Sequence, residues 1–173
     1  MSSPPIVINC NGCNFTCYSY VKSITLKCRI GNEVATYDHA TAWCNQCAKI
    51  RFVEHLPPLE ELQSEYNWCV KQIPDTSGPH RWSLNRIKEI ENLITWRKAR
   101  TAPPHCLTCG STDITPVEYE RINGVLISKT FRHKCGGALV IDLEYEDPHD
   151  LHIRFSELLI WLDIEGNKQD EEK

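Results

Sequence analysis

The sequence predicts an α+β protein in which two small β modules, residues 1–57 and 105–173, are joined by a helical hairpin over 58–104. Three observations carry this. Short runs rich in β-branched and aromatic residues lie toward both ends, apolar residues recur at helical spacing in the middle, and Cys-x-x-Cys pairs punctuate both end segments. Double prolines at Pro57-Pro58 and Pro103-Pro104 mark the boundaries.

In the first module, Cys17–Val21 and Ser23–Cys28 read as strands, and Gly31-Asn32 offers a hairpin turn into Val34–Tyr37. That hairpin is expected to return the chain so that Cys44 and Cys47 meet Cys10 and Cys13. A helix begins after Pro58, with Leu59, Leu62, Tyr66, Cys69, Val70 and Ile73 as its apolar stripe and Pro74 as its stop. The loop Asp75–Pro79 leads to a second helix, capped by Ser83, with Leu84, Ile87, Ile90 and Ile94 on one face. The last module returns to β-signals at Val117–Tyr119, Val125–Phe131 and Leu139–Tyr145, with Asn123-Gly124 as a turn. Residues 149–164 fit a helix or a strand. We choose strand, because a metal-bearing hairpin needs further strands to pack on.

A Cys-x-x-Cys segment folds back so that both sulfurs face one point, and thiolates are the ligands that tetrahedral zinc takes most readily. Each such pair is half a site. Cys10/Cys13 with Cys44/Cys47 would make a Cys₄ site, and Cys106/Cys109 with His133/Cys135 a Cys₃His site, giving two Zn²⁺ per chain. His133 and Cys135 share a strand face at i and i+2; His105 is the rival fourth ligand, but it abuts Cys106. Iron–sulfur ligation is the alternative, since Cys10, Cys13 and Cys17 form C-x₂-C-x₃-C. The opening residues Met1–Pro5 lack the basic and apolar segments of a secretory signal, which favours a reduced, cytoplasmic setting and metal over disulfides. Cys17, Cys28 and Cys69 are left for the core.

These knuckles resemble those of the zinc-ribbon, or rubredoxin-knuckle, superfamily over about ten residues at each pair. The resemblance implies small β-rich modules, structural metal, and Cys10, Cys13, Cys44, Cys47, Cys106, Cys109, His133 and Cys135 as ligands. Roughly 60-residue end segments have marginal cores, for which a metal staple compensates.

The 173-residue chain carries a net charge of −4, and 105–173 holds seven basic against fourteen acidic residues. That acidity argues against the last module lying along a phosphate backbone. Arg81, Arg86, Lys88, Arg97, Lys98 and Arg100, beside Trp82 and Trp96, are candidates for a nucleic-acid surface on the second helix; an ordinary amphipathic helix is the plainer reading. Asp142, Glu144 and Glu146 alternate on one strand face, and His149 and His152 follow, so a metal-dependent hydrolase or nuclease is a third reading. No nucleophile elbow, phosphate loop or dinucleotide loop accompanies them. No apolar run approaches the ~20 residues that span a bilayer. The expectation is a non-enzymatic, zinc-binding adaptor for a protein partner.

Overall fold

The computed structural model describes residues 6–19, 24–72, 81–142 and 158–169. Along the chain run β1 (Ile6–Cys10), β2 (Thr16–Ser19), β3 (Ile24–Ile30), β4 (Glu33–Tyr37), β5 (His39–Cys44), β6 (Lys49–Glu54), α1 (Leu59–Lys71) and α2 (Arg81–Ala99). Then come β7 (Ile114–Pro116), β8 (Tyr119–Ile122), β9 (Val125–Ser128), β10 (Leu139–Asp142) and β11 (Leu158–Leu162). The α+β class holds. The three consecutive modules do not: the described chain forms two compact units, 6–19 with 40–53 and 105–142, and 24–39 with 54–72, 81–104 and 159–169. Each unit is assembled from three separated segments, because partners in its sheets lie far apart in the chain.

The first unit contains an antiparallel sheet ordered β2-β1-β10-β9-β8, in which Ile8 faces Ile141 and Cys10 faces Leu139. A smaller sheet, β6-β5-β7, sets Trp43 opposite Thr115 and Cys44 opposite Ile114. Ile8, Leu139 and Ile141 pack with Trp43, Ile50, Val117 and Phe131 into one core. Burying each of these aliphatic side chains contributes about 1.5–3 kcal/mol. Asn123 and Gly124, both at positive φ, make the expected turn between β8 and β9.

The second unit is built on the sheet β11-β3-β4. Ile24, Leu26 and Cys28 alternate inward along β3, and Trp96 of α2 stacks on Tyr37 of β4 with ring centroids 4.0 Å apart. The expected helical hairpin exists: Arg86 of α2 bonds Glu65 of α1 at 2.6 Å, and Tyr66 donates to Glu91. Its buried faces match the predicted ones in part. Leu62 and Cys69 are buried on α1 but Val70 is exposed; on α2, Ile90, Leu93 and Trp96 are buried while Leu84 is exposed. The helix begins at Arg81, so Ser83 lies inside it rather than capping it. The strand chosen for the last segment appears as Leu158–Leu162, and it joins the β3–β4 hairpin rather than the strands nearest in sequence.

Candidate metal centres

Among the described residues, two groups of Cys and His side chains gather, each with its ligand atoms within 4.8 Å of one another. One is Cys10, Cys13, His133 and Cys135; the other is Cys44, Cys47, Cys106 and Cys109. All eight predicted ligands are therefore brought together, as one Cys₃His and one Cys₄ set. The pairing corrects the expected one: the outermost pairs in the sequence meet each other, and so do the two inner pairs. The reason lies in the strands. β1 ends at Cys10 and pairs with β10, which begins just after Cys135, whereas β5 ends at Cys44 and pairs with β7, just after Cys109. The β3–β4 hairpin, expected to bring Cys13 toward Cys44, belongs to the other unit.

Two asparagines that the sequence reading passed over lock these pairings. Asn11, after Cys10, donates its backbone N–H to Ala138 O at 3.1 Å, and its side-chain oxygen accepts from the Ala138 N–H at 2.8 Å. Asn45, after Cys44, donates its backbone N–H to Asp113 O at 3.0 Å and its side-chain amide to the Asp113 carboxylate at 2.7 Å. The repeated Cys-Asn-x-Cys was the available signal.

The geometry suits a tetrahedral ion. Cys10 Sγ lies 3.3 Å from Cys135 Sγ, His133 Nδ1 lies 3.4 Å from the sulfurs of Cys13 and Cys135, and Cys44 Sγ lies 3.5 Å from Cys109 Sγ. Zn–S bonds of ~2.3 Å and a Zn–N bond of ~2.0 Å place tetrahedral ligands ~3.5–3.8 Å apart. Disulfides are absent; all ten cysteines are free, and Cys17, Cys28 and Cys69 are buried as expected. Backbone N–H groups of Gly12, Cys47 and Gly137 point at Cys10, Cys44 and Cys135 sulfurs, each at 3.4 Å, and favour the thiolate form.

Without metal, the sulfurs differ in acidity. Burial pushes the Cys10, Cys44 and Cys47 thiols up, Cys44 to about 12. Cys135 is drawn down to about 6, chiefly by His133, and Cys109 to about 7, chiefly by a backbone hydrogen bond from Ser111. Metal binding must therefore displace protons from the buried sulfurs of both groups.

His133 completes the Cys₃His set, and His105 belongs to neither group. The His133 ring is buried, stacked on Phe15 at 4.6 Å and met edge-on by Trp43 at 5.5 Å.

The candidate nucleic-acid residues fare differently. Arg100 is a correction: it is buried and pairs with Glu54 at 2.7 Å, while also donating to the carbonyls of Ala102, Pro103 and Ile164. Arg86 pairs with Glu65 and Glu89, Lys88 with Glu33, and Arg97 donates to Pro57 O. Lys98 is exposed, and the Arg81 side chain lies outside the described residues. Trp96 is wholly buried and offers no face for a base. Of the carboxylate strand only the Asp142 backbone is described; Glu144, Glu146, His149 and His152 lie outside the described residues.

Comparison with known protein families, characterised proteins and solved structures finds no match. Fold and sites together define an α+β protein with a Cys₃His and a Cys₄ group, each able to hold a metal ion. Among the described residues, no helix is long and apolar enough to cross a membrane.

Proposed function

We propose that both groups hold zinc as a structural ion in zinc-ribbon-like clamps, and that the chain is a non-enzymatic, cytoplasmic adaptor for a protein partner. One observation carries the reading: each group supplies four ligand atoms, so a tetrahedral ion would have no position left for substrate or activated water. Thiolate-rich sets favour zinc over harder divalent ions. The adaptor role is supported by Trp68 and Val70 near the end of α1 and Leu84 near the start of α2, three large apolar side chains left exposed on the hairpin.

Native mass spectrometry of the full chain tests the first half, with two zinc ions per chain as the expected result. One ion, or iron with visible absorption, overturns it. For the second half, Trp68→Ala is expected to abolish capture of a partner while leaving two zinc ions bound. A zinc-dependent hydrolytic rate would replace the adaptor with an enzyme.

A further inference from the structure

Trp43 neighbours both metal centres, the outer one through its ring and the inner one through the chain. It immediately precedes Cys44 on β5, and its register opposite Thr115 is set by the same strand pairing that brings Cys44 to the Cys106–Cys109 knuckle. Its indole lies edge-on to His133 at 5.5 Å with an interplanar angle of 71°, while Phe15 stacks on the same imidazole and lies 5.5 Å from Trp43. Phe131, two residues before His133, meets Trp43 at 5.1 Å. The imidazole that completes the outer Cys₃His group is thus met by a side chain held in the same β5–β7 pairing that assembles the inner Cys₄ group. Such ring contacts fix a ligand's direction as hydrogen-bonded partners of metal ligands do.

The chain order adds a second link. The outer ligands Cys13 and His133 are 120 residues apart, and the inner site lies wholly within that loop. Closing the inner site first shortens the outer loop to roughly 55 residues, which by loop-closure statistics eases the outer site about threefold.

We infer that Trp43 is a positioning residue for His133 and couples the two sites, so that metal in the inner Cys₄ site raises the affinity of the outer Cys₃His site. This rests on the metal-binding reading above. The coupling is reciprocal, since the affinity of each site depends on the other's occupancy by the same factor. Loop closure alone supplies its roughly threefold share; the aromatic contact supplies the rest.

Co²⁺ titration of the full chain, read by absorption, tests it, because four-sulfur and three-sulfur sites give separable spectra. Cys47→Ser with Cys109→Ser removes the inner site through its two less buried ligands. Outer-site affinity is expected to fall by at least ~10-fold, within the usual range for coupled sites. In a Trp43→Leu background, which keeps the position apolar but removes the ring, the same removal should cost only ~3-fold. Trp43→Phe should restore most of the coupling and the outer-site spectrum. Outer-site affinity that ignores the inner ligands overturns the inference, as does an equally large loss in the Trp43→Leu background. The metal-binding reading fails separately: wild-type chain would then take up no Co²⁺ at all, whereas two ions bound independently sink only the coupling.

Discussion

Single atoms decide whether the two outer knuckles can meet. A Cβ built on Gly137 would stand 2.6 Å from both Cys10 Sγ and Gly12 N, and one on Gly12 would stand 2.9 Å from Gly137 Cα. The knuckles therefore touch glycine to glycine, and no larger residue fits without moving a ligand. Gly137→Ala should weaken metal at the Cys₃His site by at least ~10-fold while the Cys₄ site still fills, as site-resolved Co²⁺ spectra would register. An unchanged affinity would mean that the close approach is not needed. The residue after the second cysteine has a different demand. Ala48, Gly110 and Gly136 each follow a knuckle and take φ of 51°, 75° and 86°. For alanine, left-handed backbone costs ~1–2 kcal/mol, partly offset by the greater freedom glycine has when unfolded. Ala48→Gly should thus stabilise the metal-loaded protein by ~0.5–1 kcal/mol, read as a higher denaturant midpoint at unchanged metal stoichiometry.

At the scale of elements, periodicity located the helices and part of each buried face, but missed Leu93 and Trp96 on α2 and wrongly included Val70 and Leu84. Leu84, Ile87, Ile90 and Ile94 fit the helical period, yet the side of α2 that packs is drawn toward Leu93 and Trp96 by the stack on Tyr37. A partner strand elsewhere in the chain set that rotation, and no local pattern records it. Arg100 shows the same lesson in charge. On the sequence it continues a basic run, whereas in the fold it is the buried partner of Glu54, which also accepts from Tyr37 at 3.0 Å. Arg100→Ala leaves a buried carboxylate uncompensated and should destabilise the protein by about 3–5 kcal/mol. Arg86→Ala, at an ion pair open to solvent, should cost at most ~1 kcal/mol. Denaturant unfolding of the two variants side by side distinguishes a structural Arg100 from one kept for contact with a ligand. The strands β5, β6 and β7 went unread because they are only six, six and three residues long and their partners lie far away in the chain, although they position half of all the ligands.

For the molecule as a whole, spacing revealed half-sites but not which halves meet. Either pairing satisfies the ligand count, and only the strand register, with Cys10 beside Leu139 and Cys44 beside Ile114, selects the nested one. Nesting places two sites of different acidity in one unit, and their response to pH follows from that difference. Protons compete with metal for sulfur, so affinity at both sites falls as pH falls. Burial holds Cys44 and Cys47 protonated near neutrality, so the Cys₄ site releases at least two protons on binding above pH 7. Below about pH 7, Cys109 also takes up a proton and the fall steepens. At the Cys₃His site the buried Cys10 thiol is displaced throughout, but Cys135 stays a thiolate until the pH drops through about 6. Each additional displaced proton makes affinity fall a further ~10-fold per pH unit. Between pH 7 and 6 proton competition at the inner sulfurs should therefore steepen before that at the outer sulfurs, a difference in slope that competitive zinc titrations at half-unit steps would reveal. Equal slopes at both sites would mean that the metal-free sulfurs do not keep the acidities their surroundings impose.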